Sequence, residues 1–222
     1  MLQSSTLQFL KNLKKNNSKE WFDTNRKQYE NAKQDFIAIV DAVIHQFGKK
    51  DTSIAHLQAK NCLFRINRDI RFSKDKSPYK TNMGASFSKD GKKAVIAGYY
   101  LHVEPGNSFV GGGIYMPDAD AVKKIRQEVD YCFSDFKKII KQKKFIEQYG
   151  DLDKSADISL TREPKGYEKD NPAIDYLKLK SWIAMKSLSD ADLTDKNTVK
   201  KVMAAFEALQ PLVEFLNKAL EG

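Results

Sequence analysis

The spacing of apolar residues changes twice along this chain. Up to Gly48 they recur at helical intervals, and from Pro117 onwards the helical spacing returns. Between 60 and 116 apolar and polar residues alternate in short runs, which is the period of β-strands. The order of helices, strands and helices predicts an α+β fold.

Four short runs have the length and alternation of strands. They are Cys62–Asn67, Met83–Ser88, Val95–Glu104 and Phe109–Met116. Only short turns at 89–92 and 105–107 separate the last three, and connections of this length favour antiparallel neighbours. We therefore predict a single domain spanning 1–222, with an antiparallel β-meander in 60–116 between helical regions 1–48 and 117–222.

Three local features qualify this outline. Ser181–Leu188, inside the C-terminal helical region, has the pattern of a short strand. Pro211 is expected to break or kink the last helix, because proline lacks the N–H that a helix interior requires. The triplet 111–113 places three glycines inside a strand, so either a ligand approaches the backbone there, or a bulge or a bulky neighbour takes the space.

Positive charge is concentrated in one segment. The chain carries a net charge of +9, and residues 60–80 hold seven basic and two acidic side chains, an excess of five positive charges. Guanidinium groups suit phosphate and carboxylate because they bond two oxygens at fixed geometry. The segment therefore predicts an anion site built from Arg65, Arg68, Arg71, Lys76 and Lys80. The structural alternative is a salt-bridge cluster whose arginine stems cover apolar surface.

A second group of candidates lies on the third predicted strand. Tyr100, His102 and Glu104 share one face, because successive side chains of a strand point to opposite sides. A histidine and a carboxylate on one face can act as general base and orienting group, although the same pattern is typical of the polar face of a half-exposed sheet. With Asp69 and Tyr79 of the basic segment, His102 and Glu104 are the candidate catalytic residues. Two ligands are too few for a metal site, so we predict neither a metal nor a cofactor.

Cysteine use and hydropathy indicate the compartment. Cys62 and Cys132 form no disulfide framework and are expected as buried thiols in a strand and a helix, which fits a reducing environment. Met1–Leu10 lacks the pattern of a secretory leader, and no apolar stretch has the length of a membrane span. We expect a cytoplasmic protein without a membrane partner, and the sequence carries no signal for its oligomeric state.

The stretch from Arg65 to Tyr79, RINRDIRFSKDKSPY, resembles the signature of DUF2461, a family of uncharacterised bacterial proteins. That signature is Arg, two spacers, Arg-Asp, a spacer and Arg-Phe, followed by Asp-Lys and a tyrosine. Flanking blocks also resemble the family: 20–22, 99–106, the glycine triplet before Tyr115, and 165–167 through Trp182. The resemblance covers nearly the whole chain. It implies a single conserved domain of about this length, and it implies no activity.

Three functions of different classes fit these features. The favoured one is a pocket that binds an anionic small molecule through phosphate or carboxylate, in an enzyme acting on a phosphorylated compound or nucleotide. It is favoured because a compact segment containing two aspartates suits a pocket better than a long polyanion. The alternative is a nucleic-acid-binding module in which Phe72 or Tyr79 stacks on bases. The third is a non-catalytic interaction domain whose arginine cluster only fixes the fold.

Overall fold

The computed structural model describes residues 1–89, 91 and 95–221. Within them the chain forms ten α-helices and four strands, which confirms the α+β fold. The helices are α1 (Ser4–Lys15), α2 (Lys19–Thr24), α3 (Arg26–Phe47), α4 (Ala59–Cys62), α5 (Ala119–Tyr131), α6 (Phe133–Ile140), α7 (Lys143–Tyr149), α8 (Ile174–Leu177), α9 (Asp190–Thr194) and α10 (Thr198–Glu221). The strands are β1 (Met83–Phe87), β2 (Gly98–Val103), β3 (Ser108–Ile114) and β4 (Trp182–Leu188).

The four strands form one antiparallel sheet in the order β1-β2-β3-β4. The first three strands are the last three runs of the predicted meander. The fourth is the short strand expected at 181–188, which joins the edge of the sheet beside β3. The turn predicted at 89–92 lies partly outside the described residues.

The prediction of a strand at Cys62–Asn67 is wrong. Cys62 ends α4, and the residues after it form only isolated bridges, from Leu63 to Ala85 and from Asn67 to Tyr79. A regular strand needs a continuous ladder with one partner, whereas this segment leaves the edge of β1 after its first residues and pairs next with the chain around Tyr79. The predicted alternation of faces is absent as well, because four consecutive residues, 63–66, line the same cavity.

The glycine triplet is explained by close strands. A Cβ atom at Gly111 or Gly113 would overlap with backbone oxygens of β4, and one at Gly112 would overlap with the Gly98 carbonyl of β2. Gly113 also has φ +114°, a conformation that side chains with a Cβ rarely adopt. A neighbouring backbone, rather than a ligand, occupies the space that these residues leave.

Pro211 does not end the last helix, since α10 runs unbroken from Thr198 to Glu221. Its buried side chains cover both sides of the proline, from Phe206 and Leu209 to Leu212 and Leu216. Burial of each large apolar side chain contributes about 1.5–3 kcal/mol, and several of them together outweigh the roughly 3 kcal/mol cost of an internal proline.

By its internal contacts the chain divides into two compact units. The first comprises Met1–Lys92, Tyr100–Val110 and Ser187–Ala204, and the second comprises Lys93–Tyr99, Gly111–Lys186 and Ala205–Gly222. The prediction of a single domain stays a prediction.

The first unit is built around α1 and α3. Their apolar stripes are buried, with Leu10 and Leu13 of α1 and Val40, Val43 and Phe47 of α3 fully enclosed. The Ser18 hydroxyl caps α2 by accepting a hydrogen bond from the N–H of Trp21, and Gly48 caps the C-terminus of α3. This unit contains every residue predicted for the functional site.

The second unit has its own aromatic core. Tyr99 packs against Phe206 with ring centroids 4.8 Å apart, and Phe136 contacts both Tyr176 and Phe215. Trp182 is fully buried.

In the part of the chain that the structure describes, none of the helices combines the length and the apolar character that a bilayer crossing requires.

Candidate functional site

The basic segment closes a loop, residues 68–77, which we call the Arg68 loop. Antiparallel pairing at its base holds the two ends together: the Arg68 N–H donates to the Pro78 carbonyl, and the Lys80 N–H donates to the Ile66 carbonyl. Asn67 and Tyr79 form the bridge between these bonds. The loop is therefore a short excursion from a paired base and not the end of a strand.

The side chain of Arg68 braces this loop from inside. Its Nη1 forms an ion pair with Asp75 and donates to the Ser77 carbonyl at 3.0 Å, and its Nη2 donates to the Ser73 hydroxyl at 3.3 Å. The side chain is 25% exposed. Bonds from Ser77, together with the bond from Arg68, lower the pKa of Asp75 to about 2. These contacts assign Arg68 and Asp75 to loop structure.

Arg71 and Asp69 form a separate pair on the outside of the loop. The Arg71 Nε and Nη2 donate to the two carboxylate oxygens at 3.0 and 2.7 Å. The Arg71 side chain is 76% exposed. Hydrogen bonds from Arg71 also lower the pKa of Asp69. Lys76 donates to the Ile70 carbonyl at 3.1 Å, which fixes its ammonium near the loop backbone.

A second feature of the same segment is a cavity of about 300 Å³, which we call the cationic cavity. Its apolar walls include Phe36, Phe64 and Met83. Three charged side chains line it, and all three are cations: Lys33 of α3, Lys60 of α4 and Arg65. The remaining lining residues are Tyr29, Ile37, Leu63, Ile66 and Asn82. No carboxylate of the described residues lines the cavity.

Arg65 and Lys60 have no hydrogen-bond or ion-pair partner among the described residues, whereas Lys33 forms an ion pair with Glu30 at 3.7 Å. Lys80 lies next to this group, with its ammonium 5.5 Å from the centre of the Phe64 ring. Burial and the positive charge of Arg65 lower the pKa of Lys80. Positive charge thus exceeds negative charge around the cavity, where Glu30 pairs with Lys33 and the charge of Arg65 also acts on Asp69.

The third feature is a row of side chains on β2. The Tyr100 hydroxyl lies 3.4 Å from Nδ1 of His102, and Nε2 of His102 lies 3.5 Å from Glu104. The ring of His102 stacks on Phe109 with centroids 4.7 Å apart. The three side chains share one face, while Tyr99, Leu101 and Val103 on the other face are buried.

Electrostatics fix the protonation of this row. His102 is 12% exposed and Glu104 is 15% exposed. Burial lowers the pKa of His102 more than Glu104 raises it, so the ring is neutral at pH 7. Burial alone would raise the pKa of Glu104, but hydrogen bonds from Asn107, Thr81 and His102 lower it overall.

A neutral ring that faces these partners accepts at Nδ1 from Tyr100 and donates at Nε2 to Glu104. Among the described residues, no group of three or more His, Cys, Asp and Glu side chains is placed to hold a metal ion.

Tyr79 lies in a different environment from the other candidate catalytic residues. Its ring stacks on Phe22 with centroids 4.0 Å apart, and its backbone exchanges hydrogen bonds with the side chain of Asn17. Burial raises the pKa of its hydroxyl. Within the described part of the chain, no hydrogen bond, ion pair or ring contact joins Tyr79 to Asp69, His102 or Glu104.

The structure thus divides the predicted residues into separate groups. His102 and Glu104 contact each other. Arg65 lines the cationic cavity, and Lys80 lies over the ring of Phe64 beside it. The Arg68 loop contains Arg68, Asp69, Arg71 and Lys76. Among the described residues no carboxylate is hydrogen-bonded to more than one of the three arginines, although the charge of Arg65 also lowers the pKa of Asp69.

Sequence reasoning missed the contribution of α3 to the cavity. The four α3 residues that line the cavity are three, four or one position apart and therefore share one helix face. They are Tyr29, Lys33, Phe36 and Ile37. A lysine set within that apolar stripe was the signal that could have identified it.

Comparison with known proteins agrees with the resemblance of the basic segment. The sequence profile of DUF2461, described as a conserved hypothetical protein, matches residues 5–215. No curated protein and no solved structure matches the chain. The match extends over almost the whole sequence, and the chain therefore belongs to the DUF2461 family.

Proposed function

We propose that this protein binds a small anion with an apolar body, through its phosphate or carboxylate group, in the cationic cavity. The observation that carries the proposal is the composition of the lining: every charged side chain is a cation, and Arg65 and Lys60 lack acidic partners among the described residues. A cavity of about 300 Å³ lies at the lower end of the range of small-molecule sites.

The apolar walls indicate what accompanies the charged group. Phe36, Phe64 and Met83 offer surface for a ring or a short chain, while the guanidinium of Arg65 offers two parallel donors to an oxyanion. A bound anion would also relieve the repulsion between Arg65 and Lys80 that contributes to the lowered pKa of Lys80.

The geometry supports binding more strongly than catalysis. A general base must present a free nitrogen to its substrate, yet both ring nitrogens of His102 face neighbouring side chains. Asp69 is paired with Arg71 and Tyr79 is stacked on Phe22, so His102 and Glu104 are the remaining candidates for catalysis. Turnover would require His102 to exchange its contact with Tyr100 for one with a substrate.

The test is thermal unfolding with simple probes: inorganic phosphate, phenyl phosphate, benzoate and AMP. A ligand that binds only the folded state, at about 100 times its Kd, stabilises that state by about 2.7 kcal/mol. For a chain of this size we expect Tm to rise by about 5 °C or more with phenyl phosphate or benzoate. Inorganic phosphate, which lacks the apolar body, should produce a smaller shift.

The matched variants are Arg65→Ala and Arg71→Ala, which remove the same side chain from the same segment. Arg65→Ala should abolish the ligand-induced shift, and Arg71→Ala should preserve it. The proposal is wrong if none of the four anions raises the Tm of the native protein. It is equally wrong if Arg65→Ala responds to them as the native protein does.

A further inference from the structure

The most exposed large apolar side chain of the described residues is Phe72, at the tip of the Arg68 loop. It is 96% exposed, and the guanidinium of Arg71 lies 5.8 Å from the centre of its ring. A phenyl ring left in water forgoes the stabilisation that its burial would give. Exposure of the ring is therefore unfavourable in free energy, and a partner that buries it would remove this penalty.

The loop beneath Phe72 is held in place by its own contacts. Arg68 bonds to Asp75, Ser73 and the Ser77 carbonyl, and Lys76 bonds to the Ile70 carbonyl on the other side. The Ser73 N–H also donates to the Ile70 carbonyl. A braced loop loses little conformational freedom when its tip is bound, so Phe72 stands on a pre-organised platform.

The charge around the ring is positive. The loop contains four basic and two acidic side chains, and both acidic side chains are already paired, Asp69 with Arg71 and Asp75 with Arg68. Lys74 is exposed and has no partner among the described residues. Arg71 uses Nε and Nη2 for Asp69, so its Nη1 remains available to an oxyanion.

These properties favour one partner over others. Phe72 is the only exposed large apolar side chain in residues 68–77, all of which the structure describes. A protein interface needs a larger apolar centre than one ring. Single-stranded nucleic acid needs an aromatic face for a base and cations for its phosphates, and this combination is what the loop presents.

We propose that the Arg68 loop binds single-stranded nucleic acid, with Phe72 stacked on a base and Arg71 and Lys74 on the flanking phosphates. Tyr79, the other aromatic of the segment, is already stacked on Phe22 and takes no part. This surface is distinct from the cationic cavity, so the two proposals can fail independently.

The experiment measures fluorescence anisotropy of a labelled oligothymidylate of about 12 nucleotides with the full chain. Binding at about 50 mM salt should weaken as the salt rises to about 200 mM, because phosphate contacts release counterions. Phe72→Ala should weaken binding about 5-fold to 150-fold, the range for loss of one stacked base. Phe72→Trp should retain it. An abasic strand of the same length offers no base for stacking. It should therefore bind the native protein no more tightly than oligothymidylate binds Phe72→Ala.

The control is Tyr131→Ala, which removes an aromatic side chain that is 91% exposed elsewhere in the chain and should leave binding unchanged. Equal affinity of the native protein and Phe72→Ala would overturn the proposal, as would absence of binding at the lower salt concentration. If Phe72→Ala abolishes capture by phosphatidylserine vesicles or polyglutamate while oligothymidylate does not bind, the partner is a membrane or an acidic protein and the proposal is also overturned.

Discussion

The Arg68 loop and the cationic cavity draw on the same basic segment but use its arginines in opposite ways. In the loop, Arg68 and Arg71 each hold an aspartate. In the cavity, Arg65 faces lysines and apolar walls, with no carboxylate among the lining residues. A guanidinium bonded to a carboxylate can offer a ligand only its remaining donors, and its charge is already offset, whereas an unpaired guanidinium offers its full charge and all its donors.

The two regions show that a high density of positive charge does not by itself make an arginine available to an anion. Every third residue from 65 to 71 is an arginine, and spacing alone gives the three equal weight. Aspartates two and seven residues away pair with Arg71 and Arg68, so both positive charges are offset within the loop and Arg71 keeps only Nη1 for a ligand. The distribution of acidic partners, rather than the density of basic residues, thus identifies Arg65 as the arginine whose whole guanidinium is available to an anion.

The largest effect that tests this difference is on stability. We expect Arg68→Ala to lower the free energy of unfolding by about 2 kcal/mol, because it leaves the half-buried Ser77 carbonyl and Ser73 hydroxyl without their charged donor. Arg65→Ala should change it by less than about 0.5 kcal/mol, as is usual for an exposed side chain. Urea unfolding of both variants measures this, and equal losses would remove the distinction between the two regions.

Much of the fold is predictable from the sequence because each regular element leaves a local pattern. The stripe of α3, the Ser18 cap and strands β1 to β3 follow from spacing and turn residues within a few positions. The segment 62–67 is not predictable in this way. Its alternation resembles that of a strand, but its conformation is set by pairing with Ala85 and Tyr79, which lie far along the chain.

The candidate site is less predictable than the fold. The shared face of Tyr100, His102 and Glu104 follows from alternation along one strand. The cationic cavity does not, because it joins α3, α4, residues 63–66 and the start of β1, and no sequence pattern gives the distances between elements that come together only in the folded state. The sequence also gives no sign that Tyr79 and His102 lie apart, because this separation too is set only by the folded structure.

Acid unfolding provides a second test of the loop. Ser77 and Arg68 lower the pKa of Asp75 from 3.8 to about 2 in the folded protein, so the unfolded chain takes up this proton first as the pH falls. The resulting stabilisation is present above pH 3.8 and is lost as the pH falls towards 2. Asp75→Asn should therefore be less stable than the native protein near pH 5, and this difference should shrink as the pH decreases.

The measurement is the urea midpoint of both proteins at several pH values between about 5 and 2. Asp157→Asn, which removes an exposed aspartate without an ion-pair partner among the described residues, serves as the control and should track the native protein more closely. A difference between Asp75→Asn and the native protein that stays constant over this range would mean that Asp75 is not linked to folding.

The smallest expected effect is on Lys80, and it tests the cavity side of the comparison. Burial, followed by the charge of Arg65, lowers the pKa of Lys80, so more of its amine is neutral and nucleophilic at a given alkaline pH than for an ordinary lysine. Arg65→Ala removes one like charge and opens the site to water, and both changes raise the pKa. Acylation of Lys80, followed by peptide mass spectrometry, should therefore be slower in Arg65→Ala than in the native protein.

Arg71→Ala is the matched control, because Arg71 is paired with Asp69 and does not contribute to the pKa shift of Lys80. Equal slowing in both variants would mean that the cavity does not accumulate positive charge differently from the loop, and the contrast between the two regions would fail.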